Sequence, residues 1–186
     1  LDVPTAPGGD GKYLRCGVRK FTATDDSHSP VTTYFLENQE YYELRSNVYG
    51  YADDCIRYAL LSRGCLEFLN KRDEWTPDVI VCTDWMTGYL PNFLKTDYQT
   101  YARLNSIATV FSIHNLTSHG TTRHYKFLTE TEQDDGYGPI PDFFSPRIKN
   151  INALKRGILY ADLIGTVSPT YAKEILTSEY GDGLED

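Results

Sequence analysis

The sequence predicts an α/β fold, with a mostly parallel sheet and helices on both faces. Three observations carry this. Residues 79–82 and 107–113 are apolar runs with little polar interruption, the pattern of strands buried on both faces. Around them, apolar residues recur at helical spacing, so that from residue 54 the order is helix, strand, helix, strand, helix, strand, helix. Polar residues gather at the strand ends, in Thr83-Asp84-Trp85, His114-Asn115 and Ser168-Pro169-Thr170-Tyr171. Such alternation is Rossmann-like, and 186 residues suit one domain, burying roughly 70% of the unfolded surface.

Residues 1–11 hold Pro4, Pro7, Gly8, Gly9 and Gly11 and read as loose chain. Residues 13–23 read as one strand, 25–30 as a turn, and 31–36 as a second strand rich in β-branched and aromatic residues. Residues 37–52 are polar and aromatic and read as irregular. Asp53 or Asp54 caps a helix carrying Ile56, Ala59, Leu60, Leu66 and Leu69, which runs to about Lys71. The strand at 79–82 stops at Thr83-Asp84, where the carboxylate is placed to cap the next helix. Met86, Tyr89, Leu90, Phe93 and Leu94 mark that helix, and Pro91 fits best if its regular part begins near Thr87. The strand at 107–113 ends at His114-Asn115. Residues 117–149 are long, polar and punctuated by Pro and Gly, and read as a mobile lid. Ile151, Leu154 and Ile158 mark a helix, residues 163–167 a short strand, and Ser168-Pro169 the start of a last helix with Ala172, Ile175 and Leu176 inward.

A net charge of −8, from 18 basic and 26 acidic residues, argues against nucleic acid or an anionic membrane as partner. No window approaches the roughly 18 apolar residues of a membrane span. The four cysteines include no CxxC pair, and Cys55 and Cys65 on one helix would lie about 15 Å apart, too far to bridge. Free thiols point to a reducing compartment, the cytoplasm, or a plastid in a plant or alga. The 15 tyrosines, 8 phenylalanines and 2 tryptophans serve packing first and sugar stacking second.

A shared sheet edge would bring Asp84, His114 and Asn115 together. A carboxylate, an imidazole and an amide supply the donors and acceptors that sugar hydroxyls need. Asp84 by itself reads as a helix cap more often than as an acid. His114, His119 and His124 are five apart, off any one helix face, and no Cys or Glu completes a zinc pattern. There is no GxGxxG, no GxxxxGK[ST] and no GxSxG. The acidic stretch 129–135 reads as solvated loop.

Several segments resemble one family. Residues 78–88 are similar to the "PDVVHAHDWQTG" segment of bacterial glycogen synthases and plant starch synthases, and 109–116 with Gly120 to their "TVFTIHNLAYQG". Residues 153–162 resemble "FLKAGIVYAD", 166–175 resemble "TVSPTYAREI", and 179–185 its "EYGxGLEG" tail. Upstream, 34–42 resemble "VYFLDNPEYF" and 47–61 "NLYAYTDNVLRFALL". The match runs in order from about residue 31 to the end.

The resemblance implies a GT-B enzyme of two Rossmann-like domains that moves glucose from ADP-glucose or UDP-glucose to the non-reducing end of an α-1,4-glucan, with retention and without a catalytic metal or other cofactor. It implies that residues 1–186 are most of the N-terminal, acceptor-side domain, with His114 against the transferred glucose and Asp84 in the same cleft as catalytic residues. Asn115, Trp85 and Tyr171 are expected to bind substrate. The family's Lys-Thr-Gly-Gly-Leu loop and its C-terminal nucleotide domain have no counterpart in these residues, so donor binding and measurable activity are not expected of this chain alone. Thr83 stands where the family usually has His, and Leu-Thr-Ser-His-Gly where it has Leu-Ala-Tyr-Gln-Gly. A non-catalytic carbohydrate-binding or interaction domain, or a Rossmann-like transferase with another acceptor, would share this half of the fold.

Overall fold

Two antiparallel hairpins precede the main sheet in the computed structural model, which describes residues 1–9, 11–23, 31–72, 74–121, 123 and 125–185. The expected turn at 25–30 and His124 lie outside the described residues. Strand β1 (Asp2–Pro4) pairs with β2 (Tyr13–Arg15), and β3 (Gly17–Thr22) with β4 (Thr32–Glu37). The single strand expected over 13–23 is therefore two. The break falls at Cys16, whose buried residue turns its amide to Leu1 O (2.8 Å) rather than to β4. Residues 1–11 are not loose either. Val3 and Thr5 are fully buried, and Thr5 bonds Asp142 through its hydroxyl (2.9 Å) and Phe143 N through its carbonyl (3.0 Å).

Residues 39–43 form a π-helical turn capped by the Asn38 side chain, which accepts from Tyr41 N. Helix α1 (Asp54–Asn70) follows. Asp53 makes no side-chain cap bond. Asp54 instead gathers the preceding loop, accepting from Gly50 N (2.5 Å), Tyr51 N (3.0 Å) and Arg57 (2.5 Å). Ala59, Leu60, Leu66 and Leu69 are buried as their spacing predicts, but Arg63 is buried with them. It pairs with Asp97, donates to Ala6 O (2.8 Å) and lies over the Phe93 ring.

The main sheet has the parallel order β5 (Val79–Thr83), β6 (Ala108–Ile113), β7 (Leu163–Thr166). Cys82, Thr109, Phe111 and Ile113 are buried. Among the described residues helices cover that face, whereas Val79, Val81 and Leu163 on the other are exposed. The helix after β5 divides at Gly88 into α2 (Asp84–Thr87) and α3 (Tyr89–Lys95). Pro91 thus lies in the first turn of α3, where its missing N–H costs nothing. A short α4 (Ala102–Asn105) leads into β6. Helix α5 (Ala153–Tyr160) lies close on the sheet because Gly157 has no side chain; a Cβ there would stand 2.4 Å from the Phe111 ring. Ser168 caps α6 (Pro169–Glu174), accepting from Tyr171 N (3.1 Å), with Pro169 in the first turn as expected.

Much of the stretch expected as a lid is built into the core. Ile140 and Phe143 are fully buried and Ile148 nearly so. Arg156 on α5 forks onto Asp134 (2.9 and 2.6 Å) and donates to Gly138 O (2.6 Å). Gly138 O also accepts from Asn92 (3.1 Å), and Gly138 N donates to Tyr160 Oη (2.8 Å). A chain without regular hydrogen-bond ladders satisfies its buried backbone in this way, through side chains. Cys16, Cys65 and Cys82 form no disulfide, and burial pushes the Cys82 thiol up to about 12.

Candidate functional site

The site begins where β5 passes into α2 with no intervening loop. That sharp turn puts Asp84 in the left-handed region (φ 54°), which Asp tolerates better than most residues. Thr87 Oγ1 satisfies the turn, accepting from Thr83 N (2.6 Å) and donating to Thr83 O (2.8 Å). The Asp84 carboxylate is thereby free of the α2 cap and faces the neighbouring strand. Thr83 is in register with Ser112, so the residues just beyond meet. Asp84 Oδ1 accepts from His114 N (2.7 Å) and Asn115 N (3.0 Å). The capping role expected of Asp84 is thus replaced by a bond between strand ends.

His114 holds an exposed ring whose Nε2 is 3.0 Å from Ser112 Oγ. Asn115 Oδ1 closes a turn by accepting from Thr117 N (3.1 Å) and Oγ1 (2.7 Å). Tyr171, on α6, accepts from Leu116 N through its hydroxyl (3.1 Å). Thr166 at the end of β7 donates to Ile113 O (2.7 Å). The three strand ends that the sequence marks are therefore joined at one edge of the sheet.

A cleft of about 620 Å³ opens there. Asp84, Trp85 and Asn115 line it; His114 and Tyr171 do not, but His114 N donates to the Asp84 carboxylate and Tyr171 holds the loop at Leu116 N. Trp85 stands edge-on to Tyr58 (centroids 4.8 Å apart). Gly120, at φ 82°, packs so tightly on Trp85 that a Cβ would lie 2.6 Å from the indole. The far wall is Tyr49, Tyr51 and Asp54. Arg45 and Arg57 both face the Tyr51 ring (4.9 and 5.0 Å). Hydrogen bonds from the Ser46 hydroxyl and the Asn47 amide hold the Tyr51 phenol below its ordinary pKa.

Tyr49 and Tyr51 are cleft residues that pattern reading did not single out, and His119 entered it only as part of a rejected zinc pattern and of the Leu-Thr-Ser-His-Gly segment. The signal for the two tyrosines was the aromatic run before α1, which has no period. No lysine or arginine lines the cleft among the described residues. It offers carboxylates, amides, hydroxyls and ring faces, which suits a neutral polyol and not a phosphate. No group of three or more His, Cys, Asp or Glu among the described residues is placed to hold a metal, and no described helix is long and apolar enough to cross a membrane.

A family model described as the starch synthase catalytic domain matches residues 5–186. The glycogen synthase of Exiguobacterium sibiricum is 40% identical over 160 residues, covering 83% of this chain and 32% of that protein. The glycogen synthase of Lacticaseibacillus casei is 36% identical over 182 residues, 95% of this chain and 35% of its own. Among solved structures, the catalytic domain of starch synthase IV from Arabidopsis thaliana, bound to ADP and acarbose, matches with TM-score 0.67 and 27% identity, over all of this chain and 36% of that one. The chain spans about a third of the length of the relatives it matches.

Proposed function

Because the chain belongs to the starch synthase catalytic-domain family, we propose that it forms the acceptor side of a retaining glucosyltransferase. The whole enzyme moves glucose from a nucleotide sugar, ADP-glucose or UDP-glucose, to the non-reducing end of an α-1,4-glucan, in glycogen or starch synthesis. The observation that carries this is the cleft at the sheet edge, lined by aromatic rings and polar side chains with no lysine or arginine among the described residues. In the reaction the bond from the anomeric carbon to the nucleotide diphosphate breaks, a bond to the acceptor hydroxyl forms, and that hydroxyl's proton leaves with the departing group. The diphosphate gains negative charge as it departs. No lysine or arginine among the described cleft residues would neutralise it, so donor binding falls to a second domain. His114, exposed beside the cleft and fixed through its amide by Asp84, contacts the transferred glucose. Asp84, Asn115 and Trp85 contact acceptor and donor sugar, and Tyr171 holds their loop. No metal or other cofactor takes part. The starch synthase IV structure, which holds both ADP and acarbose, is consistent with a whole enzyme that binds a nucleotide and a glucan. Cys16, Cys65 and Cys82, which form no disulfide, fit a reducing compartment, the cytoplasm, or a plastid in a plant or alga.

Calorimetry of residues 1–186 tests the division of labour. The expected result is weak maltooligosaccharide binding, with ADP-glucose no tighter than about millimolar, near −4 kcal/mol. Micromolar ADP-glucose affinity would put the donor site on this half and overturn the proposal.

A further inference from the structure

Three parts of the chain meet at His119, a residue of the cleft wall that is only 5% exposed. Its Nδ1 lies 2.9 Å from Asn152 Nδ2. Asn152 caps α5, and its Oδ1 is committed to Lys155 N (2.9 Å). The amide orientation is thereby settled: the NH2 group faces the imidazole and donates, and Nδ1 accepts. The ring proton must then sit on Nε2, which faces Asp182 Oδ2 at 3.3 Å. Asp182 also pairs with Lys126 through Oδ1 (2.8 Å). The His119 carbonyl accepts from Leu154 N (3.3 Å), a second tie to the start of α5. Gly120 then carries the chain directly onto the Trp85 ring.

We infer that His119, in its Nε2–H form, is a positioning residue: it clamps residues 116–120 to the α5 N-terminus and to Asp182, and so fixes the cleft wall around Trp85 and Asn115 where the acceptor glucan lies. This rests on the glucan-transfer reading above. Two features argue for positioning beyond packing. The two ring nitrogens face partners from different elements, Nδ1 through a hydrogen bond to Asn152 and Nε2 through an ion-pair contact with Asp182, and a buried ring flanked in this way has one orientation where an apolar side chain would have several. Of the residues it orders, Thr117, Ser118 and Gly120 line the cleft beside Asn115.

The test uses the full-length enzyme with His119→Leu and His119→Gln. A glutamine amide presents an acceptor and a donor at nearly the spacing of the two ring nitrogens, so it can take the same two partners. For His119→Leu, the glucan KM should rise about tenfold or more while the nucleotide-sugar KM stays within about threefold; His119→Gln should stay within about threefold of wild type for both. Nitrogen NMR of the imidazole should find Nε2 protonated and Nδ1 not. A Gln variant as impaired as the Leu variant, equal shifts in both KM values, or a protonated Nδ1 would overturn the inference. Should His119→Leu fail to fold, the Gln variant and the NMR signature still decide. A wild-type enzyme that binds maltooligosaccharide but transfers no glucose refutes the transferase reading alone, and the variants' glucan Kd values then judge the clamp. A wild type that binds no glucan overturns both.

Discussion

At Asp84 one carboxylate joins two strand ends while occupying a backbone conformation that few residues accept. Asn also tolerates the left-handed region and keeps an oxygen for the His114 and Asn115 amides. Asp84→Asn is therefore expected to melt within about 1 kcal/mol of wild type, because only the charge assistance is lost. Asp84→Ala strands both amides and strains the turn, and should cost about 2–4 kcal/mol. If the charge serves glucosyl transfer, Asp84→Asn lowers turnover in the full-length enzyme with stability almost unmoved. Unchanged turnover would make Asp84 purely architectural. His114 differs, since its ring is exposed and lies against Ser112 Oγ. His114→Ala should leave the melting point in place and lower turnover about a hundredfold or more, roughly 3 kcal/mol of transition-state stabilisation. Normal turnover in a folded variant would refute the contact with glucose. The sequence marks Asp84 as a cap because Asp before an apolar helix usually is one. Its true partners are thirty residues away, across a strand pairing that no local pattern expresses.

Asp162 ties the sheet elements together as Asp84 ties their ends. Its carboxylate accepts from Thr109 N (2.7 Å), Thr109 Oγ1 (3.0 Å) and Lys95 (3.0 Å), linking β6, α3 and the start of β7. Partial burial raises its pKa, but the bonds from Lys95 and Thr109 outweigh that and hold it below the usual carboxylate range. A depressed folded pKa means stability that is present above the unfolded value and lost as pH falls through the folded one. Urea midpoints measured between about pH 5 and pH 2 should fall less steeply in Asp162→Asn than in wild type. Parallel curves would assign no acid sensitivity to this group. The long elements were legible: β5, β6 and α1 follow from apolar runs and helical spacing. The hairpin of β1 and β2 was not, because strands of three residues carry too little periodicity to stand out among Pro and Gly.

For the molecule as a whole, the loop from Asp134 to Ile148 is a third layer of the core, keyed by Arg156. Both side chains of the Arg156–Asp134 pair are 4% exposed. Arg156→Leu leaves a buried carboxylate without its fork and should cost about 3–5 kcal/mol, with most of it recovered in the double variant that also carries Asp134→Leu. Chemical denaturation of the three proteins measures this. A single-variant loss under about 1 kcal/mol would show the loop to be peripheral. Read locally, the same loop looks like a lid, since it has no period and many polar residues. By itself, the sequence determined the α/β class, the order of the main elements and the three strand ends that carry polar residues, because hydrophobic periodicity and turn chemistry are local and depend on nearest neighbours alone. Which polar groups meet was decided only by the tertiary structure. Asp84 with His114, Arg156 with Asp134, and His119 with Asn152 and Asp182 are joined by parallel pairing and by a loop folded back on α5. Contacts between residues so far apart in the chain depend on packing geometry, which leaves no spacing in the sequence to read.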